Sequence, residues 1–331
     1  MQLRLIAASD MVPFVDSLIA AQRIAGPQKR AGAVAFDDLS AGRELRLEYT
    51  TTTLPPKKFV MPPRERLFSF SRGDTLEVTA PAAPEPLVLF GVHPCDLAAL
   101  QLLNRAMTDT HCDPNWAARW ESLTIVGVDC MPDEWCFCAS MGTCKPVAGF
   151  DLFLTDVGDD YVVQIGSDEG RALLEAHATV KDATGAEQAL AEFEEQKLRS
   201  FSKSLTVEKK QLPLLFTKLQ DSPVWEAQAK SCLACGTCNL ACPTCFCFDV
   251  WDTMELNMRE GSRSRRWDGC LLKDFAAVAS GENFREESAG RFRHRYFRKF
   301  DYLPTRLEGL YCVGCARCSS RCWRTATTSA A

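Results

Sequence analysis

Two runs of cysteine with one shared spacing constrain this chain more than anything else in it. Cys232-Leu-Ala-Cys235-Gly-Thr-Cys238-Asn-Leu-Ala-Cys242-Pro243 reads C-x2-C-x2-C-x3-C-P, and Cys312-Val-Gly-Cys315-Ala-Arg-Cys318-Ser-Ser-Arg-Cys322 repeats the cysteines without the proline. Three thiolates at two-residue gaps can wrap three irons of one cubane. The fourth, entering a helix, points away to a neighbouring cluster. Each cluster therefore borrows one ligand from the other run. The spacing assigns Cys232, Cys235, Cys238 and Cys322 to one 4Fe-4S cluster, and Cys312, Cys315, Cys318 and Cys242 to a second. Gly236 and Gly314 suit a backbone that must come close to inorganic sulfide. Paired zinc ribbons, the bland alternative, use cysteine pairs separated by a longer loop.

This is the spacing of bacterial two-cluster ferredoxins, but 69 residues separate Cys242 from Cys312, so the domain is elaborated by an insertion, 243–311. Cys245 and Cys247 in that insertion are surplus to two clusters and read as buried hydrophobic filler. Its run Arg291-Phe-Arg-His-Arg-Tyr-Phe-Arg-Lys299 has three readings: a nucleic-acid stripe, a solvated charged face, or positive charge offsetting anionic clusters. A net charge of −5 favours the last two.

The remainder of the composition narrows the chemistry further. Seventeen cysteines in a chain with no secretory or twin-arginine leader point to metal ligands in a reducing cytoplasm rather than to disulfides. No apolar run reaches the length of a membrane span. Of the four histidines (His93, His111, His177, His294) none has a zinc-enzyme spacing, and no nucleophile elbow, phosphate loop or dinucleotide fingerprint occurs.

Residues 1–205 read as a mixed α/β domain and 206–331 as the dicluster domain, giving an α+β chain. A helix is expected over Val12–Ile24, strands over Gly32–Phe36 and Glu44–Tyr49, a hairpin over Phe150–Ile165 and a helix over Glu169–His177. Ala189–Lys230 reads as a helical, charged linker broken near Pro213 and Pro223. The apolar runs Leu87–Cys95 and Leu123–Cys130, joined by a helical pattern from Asp96 to Met107, read as a βαβ unit with parallel strands. Ligands in such sheets collect beyond the carboxyl ends of the strands, which is where Cys95 and Cys130 fall. Cys136 and Cys138, two apart in a loop, can face one metal. Cys95, Cys130, Cys136 and Cys138 thus make a plausible four-thiolate site, with Cys144 a fifth candidate. A scatter of unrelated thiols or a Cys136–Cys138 disulfide is the alternative. Cys112 has no partner pattern and reads as structural.

Several stretches together resemble a known family: Leu54-Pro-Pro-Lys-Lys-Phe, Phe90-Gly-Val-His-Pro-Cys-Asp-Leu97, Val128-Asp-Cys130 and Cys136-Phe-Cys-Ala-Ser-Met-Gly-Thr143. Gly149-Phe-Asp-Leu, Cys242-Pro-Thr-Cys-Phe-Cys-Phe-Asp-Val250, Arg266-Trp-Asp-Gly-Cys270 and Arg293-His-Arg-Tyr-Phe-Arg-Lys-Phe300 extend the likeness. The chain is similar to the beta-subunit family of soluble NiFe hydrogenases (sulfhydrogenases), which includes the A subunit of anaerobic sulfite reductase. The resemblance implies a third 4Fe-4S cluster in the N-terminal part. It also implies a non-catalytic electron-transfer role between a flavin subunit handling NAD(P)H and a catalytic partner: NiFe hydrogenase, sulfite reductase or a heterodisulfide-reductase-like enzyme. Cys144 stands where that family has glycine, which removes it from the ligand set, and Trp323 stands where proline is usual. Two rival functions remain: a catalytic iron–sulfur subunit reducing a disulfide or sulfur compound, and a zinc-dependent nucleic-acid binder resting on Arg291–Lys299. No adjacent Cys-Cys pair supports the first.

Overall fold

The computed structural model describes residues 2–146 and 148–323. Its strands are β1 (Gln2–Ala7), β2 (Arg23–Arg30), β3 (Ala33–Asp38), β4 (Arg64–Arg72), β5 (Leu76–Thr79), β6 (Leu87–Val92), β7 (Leu123–Val128), β8 (Leu152–Asp156), β9 (Asp160–Ile165), β10 (Phe248–Met254) and β11 (Glu260–Trp267). Seven form one sheet in the order β1-β9-β8-β7-β6-β2-β3, and four form a second in the order β10-β11-β4-β5.

The centre of the large sheet is parallel, β2 with β6, β6 with β7 and β7 with β8, while its edges are antiparallel. Strands buried on both faces read as continuous apolar runs, and β6 is buried at every residue. Each of Val88, Leu89 and Phe90 is fully buried, worth about 1.5–3 kcal/mol per side chain. The crossover from β6 to β7 contains the expected helix, α2 (Pro94–Thr108), which buries Leu97, Leu100, Leu103 and Met107. A second helix, Pro114–Glu121, follows it; the Asp113 carboxylate accepts the N–H groups of Asn115 and Trp116 at 2.9 and 3.0 Å. The β8–β9 hairpin and a helix over Asp168–His177 also form as the sequence suggests.

Two local expectations are corrected. The first helix, α1 (Met11–Ala21), ends before Gln22, because Arg23–Ala25 pair in parallel with Leu87–Leu89 of β6. Glu44–Tyr49 is not a strand; after a 3-10 turn at Gly42–Glu44 a backbone bond runs from Arg46 N–H to Pro27 O, 2.8 Å, and Pro27 has no N–H to continue a ladder. The stretch 189–230 is helical and interrupted near Pro213 and Pro223 as the sequence suggests, each proline standing at the start of a new helix, Leu212–Lys218 and Val224–Ala229.

The second sheet crosses the boundary expected near residue 205: β11 pairs antiparallel with β4, joining the insertion to residues 64–79. Under it, buried Arg265 bonds Glu65 at 2.5 Å and also Asp113, while Arg119 meets Glu65 at 2.7 Å. Among the described residues no helix is long and apolar enough to cross a membrane.

Candidate iron–sulfur site

The two cysteine runs fold alike. Ala234 and Gly236 in the first, Gly314 and Ala316 in the second, all have positive φ (51°, 73°, 65° and 55°), each pair flanking the second cysteine of its run. A non-glycine residue there costs about 1–2 kcal/mol. The strain recurs at matching positions, and alternating backbone of this kind makes a concavity of N–H groups that receives an anion. Each loop then enters a short helix, Thr237–Leu240 and Arg317–Ser320, and the two helices pack together.

Burial raises the thiols of Cys312 and Cys315; Cys318 and Cys242 add to the rise at Cys312, and Cys242 adds to it at Cys315. In the first set Cys238 lies within reach of Cys232, and also of Cys318 from the other set. Cys235 stands exposed, 3.4 Å from Thr237 Oγ1. Cys322 is half-buried after the helix Arg317–Ser320, its N–H bonded to Ser319 O.

The basic run turns out to face inward. It forms a helix, Ser288–Phe297, continued by a π-helical turn, Arg298–Tyr302, which places Arg291, Arg295 and Lys299 four residues apart and buried. Arg295 donates to Cys238 Sγ at 3.2 Å and to Cys238 O at 2.9 Å. Lys299 donates to Cys242 Sγ at 3.2 Å, Thr244 Oγ1 at 2.9 Å and Tyr311 O at 3.2 Å. Arg291 is spent on the carbonyls of Leu271, Arg285 and Glu286. The nucleic-acid reading of this stretch is therefore replaced by the charge-offsetting one. A hydrogen bond with Cys245, with help from Lys299 and Arg295, holds the Cys242 thiol well below its ordinary range despite burial.

The N-terminal cysteines gather at the carboxyl ends of β6 and β7. Cys95 is buried in the first turn of α2, and Cys138 is buried at the start of the short helix Cys138–Met141. The Asp133 carboxylate accepts the N–H groups of Trp135 and Cys136, both at 2.9 Å, and so shapes the loop between. Cys95 and Cys138 pack in one buried cluster with Cys144 against it; burial raises the thiols of Cys95 and Cys130, and Cys138 adds to the rise at both, with Cys136 adding at Cys130. Burial pushes the Cys136 and Cys138 thiols up to about 12, so as thiols they stay protonated and metal binding releases those protons.

Contacts invisible in the sequence tie this set to the second one. Phe137 N–H bonds Gly314 O at 3.0 Å and Thr143 Oγ1 bonds Val313 O at 2.6 Å. A Cβ on Gly314 would stand 2.7 Å from the Cys138 backbone. Arg317, next to Cys318, makes two 2.6 Å bonds to Asp96, next to Cys95, and also bonds Thr52. Cys315 and Cys95 pack in one buried cluster with Cys138. From the helix Ala186–Arg199, buried Lys197 bonds Asp129 and Cys144 O. Residues after that helix cover the loop, with Lys203 Nζ 3.9 Å from the Trp135 ring centroid and Leu205 N–H on Ser140 Oγ.

The donor set fits iron–sulfur chemistry. No disulfide joins any of the seventeen cysteines, and buried cations donate directly to thiol sulfurs. Among the described residues no three Cys, His, Asp or Glu side chains converge on a single metal ion.

Residues 231–326 match the family described as a 4Fe-4S dicluster domain, which defines the class: a ferredoxin-like iron–sulfur protein built on a mixed α/β domain. Sulfhydrogenase 2 subunit beta of Pyrococcus furiosus is 38% identical over 313 residues, 93% of this chain and 91% of that protein. The chain belongs to the sulfhydrogenase beta-subunit family, and it carries 4Fe-4S clusters that transfer electrons. No solved structure matches it significantly.

Proposed function

We propose that this chain relays single electrons, within a soluble cytoplasmic complex, between a flavin subunit that handles NAD(P)H and a catalytic subunit of the NiFe hydrogenase kind. The proposed ligands are Cys232, Cys235, Cys238 and Cys322 for the first cluster and Cys312, Cys315, Cys318 and Cys242 for the second. Cys95, Cys130, Cys136 and Cys138 hold the third. Cubane clusters exchange one electron at a time, whereas NAD(P)H delivers two, so the splitting belongs to a flavin elsewhere.

The observation that carries this reading is contiguity. Cys238 and Cys318 lie on the two short helices that pack together, and Cys315 and Cys95 share one buried cluster, which supports a line of sites in the order first, second, third. The chain's own residues keep that line short and dry. Arg317 and Asp96 lock the second set to the third, and Arg295 and Lys299 donate to ligand sulfurs, which raises the potentials of the first two sites. The ends reach the surface: exposed Cys235 lies near Leu233, 67% exposed, and a cleft of about 740 Å³ opens beside Cys130, Tyr49 and Phe193. Each end offers a partner a place to dock.

The test is anaerobic purification of the full chain with iron, sulfide and zinc analysis, beside Cys130→Ser. The variant is expected to lose about four irons per chain while the other clusters persist. Unchanged iron in Cys130→Ser removes the third cluster, and zinc in place of iron in the parent overturns the whole reading.

A further inference from the structure

Three buried or half-buried thiols take no part in the relay. Cys247 directly precedes β10 and Cys270 shortly follows β11, and the bond from Asp268 N–H to Cys247 O, 3.0 Å, draws the base of that hairpin together. Cys245 arrives from the first cysteine run by a tight turn, its N–H on Cys242 O. The amide Nδ2 of Asn239 stands 3.4 Å from Cys270 Sγ and 3.8 Å from Cys245 Sγ. Cys247 and Cys270 thus flank the base of the hairpin, and each perturbs the other's thiol, Cys247 being pushed up and Cys270 down.

We propose that Cys245, Cys247 and Cys270, gathered around Asn239, form a further ligand set for an iron–sulfur cluster beside the second one. This rests on the chain's being an iron–sulfur protein.

Two observations beyond the thiols point to an occupant. Asn239 is 1% exposed, yet its Oδ1 has no partner. An orphaned buried acceptor costs about 1–3 kcal/mol and demands an explanation; an iron left with an open corner by three thiolates takes such an oxygen as its fourth ligand. Lys57 is 2% exposed, with Nζ 2.5 Å from Cys245 O and 4.3 Å from the Trp267 ring centroid. The buried ion pairs of the protein run from Lys197 to Asp129, from Arg265 to Glu65 and Asp113, and from Arg317 to Asp96; among the described residues no carboxylate pairs with Lys57. A buried cation requires an anion. Arg295 and Lys299 already serve Cys238 and Cys242; burial lowers the Lys57 ammonium, and Cys245, Cys242 and Cys247 oppose that fall while Lys299 adds to it. Iron-bound thiolates provide that negative charge permanently, whereas neutral filler thiols do not. A Cys247–Cys270 disulfide leaves both Cys245 and Lys57 unexplained. A single ion does not fit, since no three donors converge on one point among the described residues.

The experiment measures iron, acid-labile sulfide and zinc on the anaerobically purified full chain, on Cys270→Ser and on Cys112→Ser, whose thiol is exposed. Three cubanes account for about twelve irons per chain, and the proposal expects about fifteen or more in the parent. Cys270→Ser is expected to lose about three or four irons while Cys112→Ser loses none. About twelve irons in the parent, or an unchanged count in folded Cys270→Ser, overturns the proposal and leaves the relay standing. One zinc lost per chain overturns it as well. If Cys270→Ser does not fold, the parent count alone decides.

Discussion

Arg317→Met tests whether the N-terminal and C-terminal halves are stapled at the clusters. The side chains of Arg317 and Asp96 are 1% and 0% exposed, joined by two 2.6 Å bonds, and Arg317 also reaches the Oγ1 and carbonyl of Thr52. Methionine fills similar volume but strands the Asp96 carboxylate without its partner. Breaking a buried pair from one side costs about 3–5 kcal/mol, whereas replacing both partners with apolar groups is often neutral. At about 2–4 °C per kcal/mol for a unit of 150–250 residues, the unfolding midpoint falls by roughly 10 °C. The assay is thermal unfolding of the anaerobic holoprotein at matched iron loading, compared as relative midpoints because a cofactor-bearing chain is not two-state. The double variant Arg317→Met/Asp96→Leu is expected to recover part of the loss. A midpoint within about 2 °C of the parent for the single variant, or a double variant that loses the sum of both singles, refutes the staple.

Three further outcomes follow from named contacts. Arg295→Met removes an N–H···S bond to Cys238 and a buried charge; such a bond is worth about 1.5–3 kcal/mol, so one cluster's one-electron potential falls by about 65–130 mV, read by redox titration, and an unchanged or higher potential contradicts it. Gly314→Ala puts a methyl 2.7 Å from the Cys138 backbone at φ +65°, and is expected to cost iron at the third set while the first survives in the spectrum of the reduced protein. Lys197→Met strands Asp129 beside Cys130, for an expected loss of about 3 kcal/mol seen as a lower unfolding midpoint; a midpoint equal to the parent's would show that the pair carries no weight.

What could be read from the residues alone follows the range of the interactions. The paired C-x2-C-x2-C-x3-C spacing is local chemistry, and β6 and β7 announce themselves because both faces are covered and the runs are apolar throughout. From these two strands the placing of Cys95 and Cys130 at neighbouring strand ends follows, since the crossover sets the strands side by side. Long-range pairings leave no such mark. β4 and β11 are separated by some two hundred residues and carry mixed polar sequence, Arg64-Glu-Arg-Leu-Phe-Ser-Phe-Ser-Arg72 and Glu260-Gly-Ser-Arg-Ser-Arg-Arg-Trp267, so their sheet was not foreseen. The run Arg291–Lys299 looks like a surface stripe until helical spacing turns every fourth cation inward onto sulfur and carbonyl. Lys57 and Lys197 are ordinary lysines by sequence; only the fold reveals that each is buried beside cysteines. The one available signal was the four-residue recurrence of Arg291, Arg295 and Lys299.

The central claim, a contiguous line of iron–sulfur sites through both halves of the chain, is tested most directly by reductive titration of the anaerobic protein followed by electron paramagnetic resonance, in the parent and in Cys130→Ser. The account predicts reduced clusters whose signals are broadened by mutual magnetic coupling, with one component lost and the coupling simplified in the variant. Isolated, uncoupled signals that Cys130→Ser leaves untouched would contradict it.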